Sequence, residues 1–222
     1  MSVTVADPTL ELEARMHAAG ARYVIGCDEV GRGAIAGPVA VGMCVVDRGV
    51  GPAPAGLRDS KMLSERRREE LAPLSHGWAL HSAVGLASCT EVDALGLTRA
   101  LGLAGKRALA LLHGAGADIM ASVILLDGSF DWLGPALVTS LAIETRVRAD
   151  QDCASVAAAS VIAKVHRDRL MIDADERIPG YGWRSNKGYG STAHYEALDR
   201  LGPSELHRLS WLRRPPAPGF SA

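Results

Sequence analysis

The sequence predicts an α/β fold in which helices flank a five-stranded sheet. Short apolar runs typical of buried strands alternate with stretches of helical periodicity, and acidic residues follow several of these runs directly. With 222 residues, 48% of them hydrophobic, the chain can bury a substantial core as a single domain over residues 1–222. The predicted strands cover residues 23–27, 38–46, 79–86, 122–126 and 141–147.

Composition and charge exclude several classes of protein. A formal net charge of −1 argues against a surface that attracts nucleic acid everywhere, although residues 161–222 hold 10 basic against 7 acidic side chains. The 4 cysteines form no C-x-x-C pair, so neither a zinc site nor a disulfide framework is indicated. No signal peptide and no apolar run of ~18 residues is present. We therefore expect a cytoplasmic protein that does not bind a membrane.

The first predicted strand leads into an acidic pair, Asp28 and Glu29, and then a glycine-rich turn. Strand side chains alternate between faces, so the two acids can share a ligand only if the strand ends or kinks between them. Gly31 and Gly33 let the backbone approach a ligand closely, and Arg32 adds a positive charge. Taken alone, the acidic pair is better explained as a polar strand end followed by a glycine-rich turn.

The second strand follows closely enough to form an antiparallel hairpin with the first. Beyond it, Lys61 lies in an Asp-Ser-Lys segment just before a helix that Ser64 caps. A lysine beside the free N–H groups of a helix N-terminus suits a phosphate contact. A solvated loop and cap is the alternative.

A long amphipathic helix is predicted over residues 90–112, between the third and fourth strands. The fourth strand is wholly apolar and ends at Asp127, followed by Gly128. A carboxylate at the C-terminal end of such a strand lies where open α/β sheets place their ligands. A structural turn is the alternative for Asp127.

The fifth strand leads to two further acids, Asp150 and Asp152, between which the residues alone do not choose. Residues 154–168 follow as a helix whose small side chains allow close packing on the sheet. Residues 179–194 then form a loop in which aromatic residues, among them Tyr189, alternate with glycines and basic residues such as Lys187. This composition suits stacking on a sugar or base beside a phosphate. A rigid packing loop is the alternative.

Five motifs, in this order, resemble those of the type II ribonucleases H, the ribonuclease HII family. The family's opening Gly-x-Asp-Glu-Ala-Gly-Arg-Gly signature is matched at residues 26–33, with Val30 in place of alanine, and its Gly-Pro-Val follows at 37–39. The remaining motifs are Asp-Ser-Lys-x-Leu at 59–63, a small-residue run ending Ala-Lys-Val-x-Arg-Asp at 155–168, a Lys-Gly-Tyr loop within 181–194, and Gly-Pro…His-Arg-x-Ser at 202–210 followed by Trp211.

The resemblance implies the RNase H-like fold, a five-stranded mixed sheet of three antiparallel strands and then two parallel ones, flanked by helices. Within it we expect an N-terminal helical extension over residues 1–22, with a helix over 3–20, and a small C-terminal helical part. Residues 176–212 would form the substrate-binding loop and helices, and residues 213–222 a disordered tail. The family suggests a monomer.

The resemblance also implies the site. Alignment of its longest motif selects Asp150 over Asp152 as the fourth acid. Four carboxylates without an accompanying His/Cys cluster favour Mg²⁺ or Mn²⁺, and a two-ion site is expected with substrate bound. The implied catalytic and metal-binding residues are Asp28, Glu29, Asp127 and Asp150. The implied substrate-binding residues are Gly31, Arg32, Gly33 and Tyr189 for the 2′-hydroxyl, with Lys61 and Lys187 for phosphates.

The implied activity is endonucleolytic cleavage of the RNA strand of RNA–DNA hybrids. It includes cutting 5′ of single ribonucleotides in duplex DNA, with 3′-hydroxyl and 5′-phosphate products and a role in ribonucleotide excision repair and DNA replication. Two alternatives stay open. A resolvase-like metal nuclease would share the carboxylates but lack the Gly-Arg-Gly segment and the tyrosine. A hybrid-binding module without catalysis would need no metal.

Overall fold

A five-stranded mixed sheet forms the centre of the computed structural model, which describes residues 7–212. The strand order is β3-β2-β1-β4-β5. The strands are β1 (Tyr23–Val30), β2 (Val39–Val46), β3 (His81–Ala87), β4 (Ser122–Asp127) and β5 (Ala142–Arg146). The first three pair antiparallel, and β4 and β5 continue the sheet in parallel with β1. The predicted fold class and topology are confirmed.

Eight α-helices accompany the sheet within residues 7–212. They are α1 (Glu11–Ala18), α2 (Glu65–Trp78), α3 (Cys89–Leu95), α4 (Leu97–Gly114), α5 (Ala149–Asp152), α6 (Ala154–Arg177), α7 (Trp183–Asn186) and α8 (Thr192–Leu201). None of them is long and apolar enough to span a membrane.

Two helix boundaries differ from the sequence prediction. The single helix expected over residues 90–112 is interrupted at Gly96, whose φ of 77° ends α3 before α4 begins. In the N-terminal extension, α1 begins only at Glu11, and Leu10 before it offers no side-chain cap. The predicted tail of residues 213–222 lies outside the described residues, and the division into segments stays a prediction.

The first strand is longer than predicted. It was expected to end at residue 27, but it continues through Val30, with Asp28 paired to Gly42 and Glu29 to Val41. The prediction was wrong because a strand that pairs on both sides can continue along one neighbour after its pairing with the other has ended. The parallel ladder with β4 stops at Cys27, whereas the antiparallel ladder with β2 continues.

Helix α6 crosses one face of the sheet at close range, as its small residues predict. A Cβ atom added to Gly26 would overlap the backbone of Ser155, and one added to Gly42 would overlap the carbonyl of Ala159. Glycine on the strands and alanine on the helix therefore let the two backbones approach. Helix α4 covers the opposite face in an apolar cluster that includes Ile25 and Cys27. Alternate residues of β1 thus point to α4 and to α6.

Candidate active site

Three of the predicted acids lie near the C-terminal ends of two neighbouring inner strands. Because β1 and β4 are parallel neighbours, Asp28 and Glu29 on β1 meet Asp127 at the end of β4. The fourth, Asp150, lies on the one-turn helix α5 that follows β5. These four side chains are called the carboxylate cluster below. Electrostatic coupling links its members, since the charge of Asp127 raises the pKa of Asp28, Glu29 and Asp150.

The two adjacent acids of β1 occupy different environments although the strand does not end between them. Asp28 is buried beside α6, close to the hydroxyl of Ser160, which donates to Ser60 Oγ at 2.9 Å. Its pKa is raised well above the ordinary value, first by burial and then by the charge of Glu29. The N–H of Glu29 donates to Oδ1 of Asp28 at 2.8 Å. This bond partly offsets the cost of burying the carboxylate.

One carboxylate oxygen of Glu29 accepts a hydrogen bond, and the other has no hydrogen-bond donor among the described residues. Arg32 Nη1 lies 2.8 Å from Glu29 Oε1, while Oε2 is buried without a hydrogen-bond partner among the described residues. Burial raises the pKa of Glu29, and the hydrogen bond from Arg32 opposes the rise. A buried carboxylate oxygen without a donor is costly, which makes this atom an available ligand for a cation.

The structure distinguishes the two candidate acids of α5. Asp150 has only 5% of its side chain exposed, and its pKa is raised to about 6, first by burial and then by the charges of Asp127 and Asp59. Asp152 is 50% exposed and pairs with Arg146 at 2.6 Å. Asp150 is therefore a member of the carboxylate cluster, and Asp152 points to a different partner.

Lys61 lies beside the carboxylate cluster, together with a buried acid that sequence reasoning missed. Its Nζ is 3.6 Å from Asp150 Oδ2, and its side chain is 72% exposed. Burial alone would lower the pKa of Lys61, but the charges of Asp28, Asp59 and Asp150 outweigh it and the pKa is raised. Asp59 also accepts a hydrogen bond from the N–H of Lys61 at 3.0 Å. In the sequence, the only indication of a role for Asp59 was its position in the Asp-Ser-Lys motif.

The carboxylate cluster fits a hard divalent cation by its chemistry. In residues 7–212, no group of three or more His, Cys, Asp or Glu side chains is close enough to hold an ion as arranged. The fit rests instead on the all-oxygen donors, the unpartnered Glu29 Oε2, and the burial and mutual repulsion that together raise the pKa of Asp28. Mg²⁺ and Mn²⁺ take such ligands and relieve such repulsion.

The predicted sugar-recognition residues lie together. Residues 31–38, called loop 31–38 below, join β1 to β2 and contact the segment around Tyr189. The N–H groups of Ile35 and Ala36 both donate to the carbonyl of Gly188, and Ala34 forms an isolated β-bridge with Tyr189. Loop 31–38 therefore connects β1, which carries Asp28 and Glu29, to the Tyr189 segment.

The two glycines of the loop meet different demands. Gly31 has a φ of 88°, and a Cβ there would overlap the side chain of Arg167. At Gly33 nothing lies within 4 Å of the corresponding position. Packing therefore requires glycine at residue 31, whereas residue 33 is open to an external ligand.

Tyr189 and Lys187 differ in their surroundings. The ring centroid of Tyr189 is 5.6 Å from Lys164 Nζ and 5.4 Å from the guanidinium carbon of Arg167, so two cations of α6 flank it. Lys187 is buried, and its ammonium donates to the carbonyl of Arg184 and lies 3.3 Å from Glu65 Oε1. Its ammonium already has protein partners, and its role as a phosphate contact stays a prediction.

Several buried polar residues near the loop were missed: Lys164 and Arg167 stood in a run interpreted as a packing helix, and Arg208 stood in the closing motif, to which no role was assigned. Arg167 and Arg208 are fully buried against loop 31–38, and Lys164 donates to Asp168 at 2.6 Å. For Lys164 and Arg167, the signal available in sequence was a charged residue at an otherwise small or apolar helix position. Nothing in their spacing names the loop as their partner.

Comparison with known proteins agrees with this arrangement. A family model described as Ribonuclease HII matches residues 25–214. A curated Ribonuclease HII from Streptomyces griseus subsp. griseus is 46% identical over 208 residues, covering 92% of this chain and 84% of that protein. One from Streptomyces avermitilis is 43% identical over 205 residues, covering 92% and 83%.

A solved structure shares the fold. The crystal structure of ribonuclease H2 from Pyrococcus horikoshii OT3 superposes with a TM-score of 0.66 at 26% identity, covering 86% of this chain and 94% of that one. The order of the motifs, the mixed sheet and these matches over most of the sequence agree with one another. The chain therefore belongs to the ribonuclease HII family, and it is a ribonuclease H.

Proposed function

We propose that this ribonuclease H hydrolyses the RNA strand of RNA–DNA hybrids and also cuts on the 5′ side of a single ribonucleotide embedded in duplex DNA. The products would carry a 3′-hydroxyl and a 5′-phosphate. One observation carries the second part of the proposal: Glu29 of the carboxylate cluster and Gly31 of loop 31–38 are two residues apart on one chain. A ribose bound at this loop would therefore have its adjacent phosphate at the carboxylate cluster.

The carboxylate cluster would hold Mg²⁺ or Mn²⁺, two ions when substrate is bound. Asp28, Glu29, Asp127 and Asp150 supply the ligands. When bound, such ions supply an activated water and neutralise the charge of the leaving oxygen. The chain's own contribution is to orient the carboxylates. The N–H of Ala149 holds Asp127, and the N–H of Glu29 holds Asp28.

Recognition of the ribonucleotide is assigned to the loop and the tyrosine. The 2′-hydroxyl is the group that distinguishes RNA from DNA, and backbone N–H groups can reach it where side chains are absent. Gly31 and Gly33, on either side of Arg32, meet that requirement, and Tyr189 lies beside the next residue, Ala34, to contact the sugar. The exposed ammonium of Lys61 is available for a phosphate, and Lys187 is assigned the same contact if substrate displaces its internal partners.

These features favour ribonucleotide cleavage over the alternatives. A resolvase-like nuclease has no use for a sugar-reading loop, and a binding module has no use for several buried acids whose pKa values are raised by one another. We further propose that the enzyme acts as a monomer in the cytoplasm, in ribonucleotide excision repair and DNA replication.

One assay tests the proposal. A duplex with a single ribonucleotide, its all-DNA twin and a long RNA–DNA hybrid are incubated with Mg²⁺, with Mn²⁺ and with chelator, and the product ends are mapped. We expect metal-dependent cutting of the ribonucleotide duplex and the hybrid, with 5′-phosphate ends. Equal cutting of the all-DNA twin would support a general nuclease. Binding without cutting would support the module.

A further inference from the structure

Arg208 is buried against the loop that carries the predicted sugar-recognition residues. Its side chain is 0% exposed. The guanidinium donates to the carbonyls of Gly31 at 2.7 Å, Arg32 at 3.0 Å and Gly37 at 3.0 Å. One side chain therefore binds both ends of loop 31–38, across a sequence separation of about 170 residues.

Arg167 of α6 holds the same loop from another side. It is also fully buried, and it donates to the carbonyls of Pro38 at 2.8 Å and Ala36 at 3.0 Å. A third bond reaches the carbonyl of Lys187 at 2.8 Å, in the segment that leads to Tyr189. Arg167 thus joins the loop to the Tyr189 segment, while Arg208 holds the part that includes Gly31.

The two arginines are costly to bury. Neither guanidinium forms an ion pair with a carboxylate anywhere in residues 7–212, and the pKa of Arg208 is lowered to about 10 by burial and by the nearby charge of Arg167. Two like charges buried among carbonyls would not be favoured over apolar side chains of similar volume for packing alone. The planar fork of donors does, however, fix several carbonyls at once.

The orientation of those carbonyls determines where the loop N–H groups point. The described chain contains no cis peptide bond, and in a trans peptide the C=O and the next N–H point in opposite directions. Because the carbonyls of Gly31 and Arg32 face Arg208, the N–H groups of Arg32 and Gly33 face away from it. Neither N–H donates a hydrogen bond to any other described residue.

We propose that Arg208 is a positioning residue for specificity, which presents the N–H groups of Arg32 and Gly33 to the 2′-hydroxyl of a ribonucleotide, while Arg167 helps to hold the loop at Ala36 and Pro38. This inference rests on the proposed function of loop 31–38. The essential property is the geometry of the guanidinium fork. A lysine retains the charge, but its single ammonium cannot hold the carbonyls of Gly31 and Arg32 in the same orientation.

The test compares how strongly Arg208→Lys and the wild type prefer a ribonucleotide-containing duplex over an all-DNA duplex in binding. Dissociation constants are measured in chelator, so that no cutting occurs, for a duplex with one ribonucleotide and for its all-DNA twin. We expect the ratio of the two constants to fall about fivefold or more, as for the loss of one hydrogen bond. Affinity for the all-DNA twin should change little. A purely structural role would lower the melting temperature and affect both duplexes alike.

Arg107→Lys is the matched control. Arg107 also makes several hydrogen bonds, to both oxygens of Glu91 and to the carbonyl of Leu86, but it lies outside loop 31–38 and the carboxylate cluster. The ratio of the two dissociation constants for Arg107→Lys should equal that of the wild type. A ratio that falls equally in Arg107→Lys would overturn the proposal, because the effect would then not depend on the loop.

The possible results distinguish a failure of this inference from a failure of the proposed function on which it rests. If the wild type binds both duplexes equally, the proposed recognition of the 2′-hydroxyl fails. If the wild type prefers the ribonucleotide and folded Arg208→Lys keeps that preference, the positioning role fails. Circular dichroism reports folding. Should Arg208→Lys unfold below the assay temperature, Arg167→Lys carries the test, and an unchanged ratio in that folded variant overturns the proposal.

Discussion

The carboxylate of Asp127 accepts a hydrogen bond from the backbone N–H of Ala149 at 2.8 Å. This bond joins the end of β4 to the first residue of α5, and it brings the next residue, Asp150, to the carboxylate cluster. The charge of Asp127 is accordingly the main electrostatic contribution, after burial, to the raised pKa of Asp150. The position of the fourth acid thus depends on the third.

Asp127→Asn should abolish cleavage while substrate binding persists. The amide oxygen still accepts from the N–H of Ala149, so α5 keeps its place, but a ligand charge is lost. We expect the single-turnover rate to fall by more than about 100-fold, above the effect typical of a ligand's outer partners. Binding is measured in chelator by fluorescence anisotropy. Retained turnover would remove Asp127 from the site.

Asp150→Asn and Asp152→Asn form a matched pair for the fourth ligand. Asp150 is buried in the carboxylate cluster, so its amide variant should lose most of the cleavage rate. Asp152 is half exposed and paired with Arg146, and its variant should stay within about 0.5 kcal/mol of wild-type stability and keep its activity. The reverse pattern of rates would assign the ligand to Asp152.

Metal binding should stabilise the protein more at high pH than at low pH. The pKa of Asp150 is raised from 3.8 to about 6, so the folded protein holds this proton more tightly than the unfolded chain. Its contribution to metal-free stability is therefore present at low pH and falls as the pH rises through 3.8 to 6. Since Mg²⁺ binds the deprotonated form, the rise in melting temperature on adding Mg²⁺ should be larger at pH 8 than at pH 5.5. The same rise at both pH values would contradict this prediction.

Alanine at the two loop glycines should act through different mechanisms. Gly31→Ala forces a Cβ against Arg167 at a φ of 88°, and we expect a loss of about 1–3 kcal/mol in the free energy of unfolding. Gly33→Ala meets open space, so its stability should stay within about 0.5 kcal/mol of wild type. It should nonetheless cut a ribonucleotide duplex more slowly, because the methyl group keeps the sugar away. Urea unfolding and cleavage rates measure the two effects. Normal cutting by Gly33→Ala would argue against close backbone approach there.

A buried histidine pair should make the packing of the C-terminal segment, residues 181–207, sensitive to acid. His194 Nε2 lies 3.1 Å from His207 Nε2 and accepts from Trp183 Nε1, while the N–H of Ser204 donates to His207 Nδ1. These bonds require a neutral His207, and burial followed by the charge of His194 lowers its pKa to about 4. Its contribution to stability is therefore present above pH 6.5 and is lost as the pH falls toward 4.

His207→Gln isolates this contribution, because the difference from wild type cancels the other titrating groups. We expect the variant to be less stable than wild type at pH 7, and the gap in the free energy of unfolding to narrow as the pH falls to 4.5. Urea unfolding at each pH measures it. A gap that is independent of pH would mean that His207 does not titrate in this window.

Local patterns together with the family resemblance were sufficient to predict most of the fold and to propose the site acids. Apolar runs with β-branched residues determined where β2 and β4 lie, and small residues predicted the close packing of α6. The long motif favoured Asp150, and the burial of that side chain agrees. Two boundaries required the fold: β1 continues past residue 27 because β2 supplies partners, and Gly96 divides one predicted helix into two. The chemical roles of the acids stay predictions.

Sequence alone determined which residue types stand at the strand ends and in what order, because strand and helix periodicity are local properties of the chain. Only the tertiary structure decided which distant side chains meet them. Arg208 lies about 170 residues from the carbonyls that it holds, and Asp152 is removed from the carboxylate cluster by its pairing with Arg146. Such contacts arise when the sheet and helices pack, and burial then favours the pairing of polar groups that are distant in sequence, which no local pattern encodes.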